Sequence, residues 1–134
     1  MTYVLDTNII TAILKGNDQV IKKAQKVIIE GGDIFINGIS YYEIKRGLLA
    51  VNATAKLKTF DLLCKEFGLI LLDTQSVFDE AAAIYAALKQ KGNLIGDADI
   101  LIASATKIRN YTLVSDNTRH FERVEGLRFE NWLK

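Results

Sequence analysis

Four short runs are apolar on both alternating faces: TYVL (2–5), DIFI (33–36), LILL (69–72) and YTLV (111–114). That pattern belongs to strands covered by helices on both sides, as in a parallel sheet. Between them the apolar period changes to three and four. Residues 18–30 carry Val20, Ile21, Ala24, Val27 and Ile28, with Lys22, Lys23 and Lys26 between, and residues 76–90 carry Val77, Phe78, Ala81, Ala82, Tyr85 and Leu88. Both stretches predict amphipathic helices. The glycines at 31–32 and 92 mark where such helices stop. SYYEIKRGLLA (40–50) and DADILIASATKI (97–108) predict two more, and LRFENW (127–132) offers a further edge strand. Strands alternating with helices predict an α/β fold, a three-layer α/β/α sandwich around a mostly parallel central sheet.

Proline is absent from the chain, and neither an internal repeat nor a low-complexity stretch interrupts it. The 134 residues, 49% hydrophobic, are therefore expected to form a single domain over 1–134. The formal net charge of +1 excludes a protein that holds nucleic acid by bulk charge alone. One cysteine, Cys64, cannot form an internal disulfide and suits a reducing compartment. Asp6 and Asn8 interrupt the apolar start, which argues against a signal peptide, and no apolar run is long enough to span a membrane. The expectation is a soluble cytoplasmic protein.

In open parallel sheets, chemistry gathers beyond the carboxyl ends of the strands. Asp6 follows the first strand directly, and Asp116 follows YTLV after Ser115. Glu43 lies near the start of the helix after DIFI, and Asp97 and Asp99 open the helix at 97. Each acid also has a local explanation. Asp6 and Asp97 suit helix N-caps, Ser40 with Glu43 has the spacing of a capping box, and Asp116 with Asn117 reads as a turn. Convergence is the alternative. Two carboxylates about 4 Å apart repel by about 4 kcal/mol at an effective dielectric near 20. Gathered acids therefore call for a hard divalent cation, Mg²⁺ or Mn²⁺, which prefers oxygen ligands and acidifies bound water. One histidine and one cysteine, far apart in the chain, do not suit zinc. Asp97 and Asp99, two positions apart, point about 200° from each other around a helix. Only one of them can reach the ion, and the other caps the helix or holds a water.

LDTNII, Glu43 in YYEIKRG, DADILIASA and LVSDNTRHF, in that order, resemble the successive motifs of PIN-domain ribonucleases. The likeness is to VapC-type toxins of toxin–antitoxin pairs and runs nearly end to end, including VEGLRFENW. It implies an α/β/α nuclease that cuts RNA with Mg²⁺ or Mn²⁺ held by acids. Asp6, Glu43 and Asp99 match the best-defined acidic positions, Asp97 an accessory one. The acid that many members carry before the last phenylalanine is replaced by His120, which leaves the fourth site to Asp116 or to Asn117 as a neutral ligand or water anchor, and puts a second ion in question. Thr7, Asn8, Ser115 and Asn117 are expected to orient the ligands, and His120 to be a surface or stacking residue rather than a base.

The same resemblance implies a homodimer, an RNA substrate (transfer RNA among the family's targets) and a VapB-like antitoxin. Candidate RNA contacts are Lys45, Arg46, Lys56, Lys58, Arg119 and Arg123, with Tyr41 and Tyr42 able either to stack on bases or to pack in the core. The antitoxin is expected against Ile13, Leu14, Leu48, Leu49, Val51 and Leu57, only a few of them exposed. Two rival readings remain: a catalytically idle PIN-like module that binds RNA or protein, and a phosphatase with Asp6 as nucleophile. The phosphatase reading wants a second aspartate where Asn8 stands.

Overall fold

The computed structural model describes residues 1–134. In chain order it contains β1 (Thr2–Leu5), α1 (Thr7–Leu14), α2 (Asp18–Ile29), β2 (Asp33–Asn37), α3 (Gly38–Ala50), α4 (Thr54–Phe67), β3 (Leu69–Ile70), α5 (Gln75–Gln90), α6 (Asp97–Ile108), β4 (Thr112–Val114), α7 (Thr118–Phe121) and β5 (Arg128–Glu130). The strands form one sheet in the order β3-β2-β1-β4-β5, and every pairing is parallel. β1 is central, with Leu5 opposite Ile36 on one side and Val114 on the other. The chain builds outward from β1 to β2 and β3, then crosses to β4. The sheet therefore reverses its building direction between β1 and β4, the place where open α/β sheets form a crevice.

Alternation along the strands divides the core. Val4 and Leu113 pack with α5, α6 and α7 residues such as Ile84, Ile102 and Phe121. Their neighbours Leu5 and Val114 join Ile34 and Ile36 against α1–α4, around Ile9, Val20 and Phe60. Gly31 and Gly92 follow α2 and α5 with φ of 85° and 69°, the left-handed step that ends a helix without a Cβ clash. No helix is long and apolar enough to cross a membrane.

The structure departs from the sequence expectations at three elements. LILL has the apolar content of a covered strand, yet only Leu69 and Ile70 pair, at the edge of the sheet, and Leu71 is exposed. In α5 the buried face is Val77, Ala81, Ile84 and Leu88, while Phe78, Ala82 and Tyr85 are exposed. The apolar arc of this helix is wider than the core it meets, so periodicity alone marks two adjacent faces as one. The cap of α3 is Asn37, whose side chain accepts from the Ser40 backbone N–H, so Ser40 and Glu43 lie inside the helix and form no capping box.

Candidate active site

β1 ends at Leu5 and α1 begins at Thr7, so Asp6 is both the step off the sheet and the helix cap. Its backbone N–H donates to the Val114 carbonyl at 2.9 Å, holding it between the ends of β1 and β4. One carboxylate oxygen, Oδ1, accepts from the Thr7 N–H at 2.8 Å. The other, Oδ2, accepts from the Ser115 hydroxyl at 2.7 Å and, at 3.4 Å, from the Asn8 side-chain amide. Asp6 is only 5% exposed. Burial pushes its carboxyl above the ordinary aspartate value; the Ser115 and Thr7 hydrogen bonds oppose the rise, and the charges of Asp99 and Glu43 add to it.

Glu43 reaches Asp6 through Thr7. The Thr7 hydroxyl lies 2.8 Å from Glu43 Oε1 and 2.8 Å from Ser40 Oγ. A carboxylate only accepts, so the Thr7 hydroxyl donates to Glu43 and accepts from the Ser40 hydroxyl. Asn37 completes the chain, its amide donating to Ser40 Oγ at 3.0 Å and to the Leu5 carbonyl at 2.9 Å. Asp99, in the first turn of α6, is bound from the other side. His120 Nδ1 stands 2.7 Å from its Oδ2 and Asn117 Nδ2 3.2 Å from the same atom. Because that oxygen accepts only, the His120 proton belongs on Nδ1, and the 2.9 Å approach of the Asn117 amide to Nδ1 is a packing contact. Asn117 also donates its backbone N–H to Ser115 Oγ at 2.9 Å. Ser115 and Asn117 thus join Asp99 to Asp6, as Thr7 joins Glu43 to Asp6.

The carboxylates of Asp97 and Asp116 stand outside this network. Asp97 is exposed and its side chain makes no hydrogen bond or ion pair; the cap of α6 is Gly96, which places Asp97 on the first helical turn rather than at the cap. Asp116 is exposed too, its carboxylate accepting from Asn131 at 2.8 Å and its backbone N–H donating to Asn8 Oδ1. As they stand, no three acidic, histidine or cysteine side chains close on one point as an ion-binding set does. The donor chemistry nevertheless fits a hard divalent cation. Three carboxylates share one rim, the most buried is raised by its burial and further by the charges of the other two, and the oxygens outside the hydrogen bonds named above are Glu43 Oε2 and Asp99 Oδ1.

The model of the PIN domain matches residues 3–127. The chain belongs to the PIN-domain family. Among curated relatives, Ribonuclease VapC2 of Rickettsia felis is 31% identical over 136 residues, covering the whole of both chains. The tRNA(fMet)-specific endonuclease VapC of Shigella flexneri is 28% identical over 137 residues, 98% of each chain. Among solved structures, VapBC2 from Rickettsia felis bound to a promoter DNA fragment superimposes with a TM-score of 0.90 at 27% identity, covering 98% of this chain and 99% of the other.

In this PIN domain the sequence motifs missed three participants. Asn37 and Ser40 are fully buried polar residues, one ending β2 and the other in the first turn of α3, and their closeness to a strand terminus was the available signal. His120 is bonded to Asp99 rather than lying free on the surface. Of the expected RNA contacts, Lys45 is tied to Asp61 at 3.1 Å, Arg46 lies over the Tyr42 ring, and Arg123 donates to the Asn93 and Leu94 carbonyls. Lys56, Lys58 and Arg119 have no acidic partner. Tyr41 packs on Phe60 and Tyr42 is exposed. Of the residues expected to face an antitoxin, Leu49 and Val51 are exposed, while Ile13, Leu14 and Leu48 pack partly against the core.

Proposed function

We propose that this PIN domain is a divalent-metal-dependent endoribonuclease and the toxin of a VapBC-type toxin–antitoxin pair, acting on RNA, with transfer RNA among its candidate substrates. The observation that carries the reading is the buried Asp6 carboxyl, raised first by its burial and then further by the charges of Asp99 and Glu43. Asp6, Asp99 and Glu43 are the residues that would hold Mg²⁺ or Mn²⁺. When bound, the ion supplies positive charge that acidifies a water and offsets the charge growing on a phosphate. Around it, Thr7 and Ser115 fix the orientation of Asp6, Thr7 also aims Glu43, and His120 with Asn117 holds Asp99 by one oxygen, leaving the other outside the hydrogen-bond network. Asp97 and Asp116 contribute negative potential from outside.

A VapB-like antitoxin is supported by an apolar groove of about 450 Å³ between α1, α2 and α4, lined by Ile13, Ile21, Ile28, Leu63 and Phe67. In its lining Ile29 is 84% exposed, an apolar cost that a partner would remove. The exposed Phe78 and Tyr85 of α5 support a homodimer in the same way. Wild-type protein with Mg²⁺ or Mn²⁺ is expected to cut bulk RNA, and Asp6→Asn to abolish the cutting. Equal cleavage by a contaminant-free Asp6→Asn preparation would remove Asp6 from the chemistry.

A further inference from the structure

Next to the acidic rim, α1, α3 and α4 leave an open cleft of about 280 Å³. Thr7 and Glu43 line it and make it continuous with the candidate active site. Leu14, Ile44 and Leu48 supply its apolar surface, and Thr11 a hydroxyl that makes no side-chain hydrogen bond within the chain. Lys15 and Lys56 line it as well, both exposed and neither paired with an acid.

Gly47 completes the wall from the middle of α3. A helix-interior glycine costs about 0.5–1 kcal/mol relative to alanine. Neither usual compensation is present. Its backbone is not left-handed, and a Cβ built there would meet nothing within 4 Å. No contact inside the chain requires the glycine, and the space it leaves opens into the cleft, where a flat group from outside could approach the helix backbone.

We propose that this cleft is a nucleotide subsite, taking one base of a single-stranded stretch of RNA against Gly47 and its phosphate between Lys15 and Lys56. The identity of the ligand rests on the ribonuclease reading above. Two unpaired cations beside an apolar surface match a ligand that is flat at one end and anionic at the other. An apolar peptide is better matched by the α1–α2–α4 groove, where seven of the nine lining residues are hydrophobic. The cleft also shares Glu43 and Thr7 with the rim, so a base held here lies one step along the strand from a phosphate presented there.

The test uses the full chain and a fluorescein-labelled, mixed-sequence single-stranded RNA, followed by anisotropy with Ca²⁺ replacing Mg²⁺ and over a range of salt. Cleavage of bulk tRNA in Mn²⁺ is measured alongside. Gly47→Leu, which fills the cleft, is expected to weaken binding by about tenfold or more. Its melting temperature stays at or above that of wild type, because leucine is the better helix former. Gly47→Ala is expected to be more stable than wild type and only mildly weaker in binding. Lys15→Gln with Lys56→Gln should flatten the slope of log affinity against log salt by about 0.7, one phosphate's worth on a single strand.

Wild-type affinity and salt slope in all variants overturn the subsite, whether or not the protein cuts RNA. Binding that depends on Gly47 and the lysines in a chain that cuts nothing keeps the subsite and removes the nuclease reading. If Gly47→Leu does not fold, the salt slope of the lysine pair decides.

Discussion

Asp6→Asn separates an ion-binding carboxylate from a helix cap, because the cap survives the substitution. The asparagine oxygen can still accept from the Thr7 N–H, as Asp6 Oδ1 does at 2.8 Å. At the other oxygen the new amide meets Ser115 Oγ, which must turn from donor to acceptor while still serving the Asn117 N–H. That mismatch costs about 0.5–1.5 kcal/mol. Removing a buried charge that Asp99 and Glu43 repel acts in the opposite direction. The net change in metal-free stability is therefore expected within about 2 kcal/mol of zero. For 134 residues the unfolding entropy is about 0.28 kcal/mol per degree, so the metal-free melting temperature moves by no more than about 7 °C.

The response to metal is the decisive quantity. An ion present at a hundred times its dissociation constant stabilises the folded chain by about 2.7 kcal/mol. With the same entropy the wild-type melting temperature should rise by about 10 °C on Mn²⁺ addition after EDTA treatment. Asp6→Asn should show almost none of this rise. Asp18→Asn is the control, since Asp18 lies on α2 with a side chain 78% exposed and paired to Lys22. Differential scanning fluorimetry over a Mn²⁺ series reads all three proteins. A full rise in Asp6→Asn refutes Asp6 as a ligand, and a metal-free fall beyond about 10 °C makes its role structural.

Thr7→Val keeps the shape but removes the donor to Glu43 and the acceptor of the Ser40 proton; it should cost about 1–2 kcal/mol, or 4–7 °C, and raise the Mn²⁺ concentration needed for half the thermal rise. An unchanged Mn²⁺ midpoint would refute the aiming role of Thr7. Asn37→Ala removes the cap of α3 and the buried side-chain bonds to the Leu5 carbonyl and Ser40 Oγ, so a loss of about 2–3 kcal/mol is expected in urea titration, and a loss under about 0.5 would contradict the assignment. Without metal, Asp6 gives a pH dependence of definite sign. Its folded pKa is raised above the ordinary aspartate value of 3.8, so the folded state binds the proton more tightly than the unfolded state. Its contribution to stability therefore grows as pH falls through the raised value, is complete below 3.8, and is absent from Asp6→Asn. Melting curves in EDTA from neutral to mildly acid pH test this, and identical pH slopes for the two proteins would contradict it.

The sheet was largely legible because its signals are local. TYVL gives β1 residue for residue, and the helix 97–108 has its observed bounds, since a run of apolar positions meets polar residues sharply at each end. LILL misled because apolar content reports burial, and a two-residue edge strand followed by exposed Leu71 does not need it. Phe78 and Tyr85 misled for the related reason that a helix can be apolar beyond its core face. The candidate site divides along the same line. That Asp6 would follow a strand end, and Asp99 open a helix, can be read from the chain. That Thr7 would bind Glu43 across 36 positions, His120 would bind Asp99 across 21, and Ser115 would bind Asp6 across 109 cannot, because those contacts exist only once β1, β2 and β4 are adjacent. Taken locally, Asn37, Ser40 and Ser115 are ordinary capping and turn residues. Their second hydrogen bonds, made across strands, orient the carboxylates, and a polar side chain at the carboxyl end of a central parallel strand has few other partners once the sheet is covered.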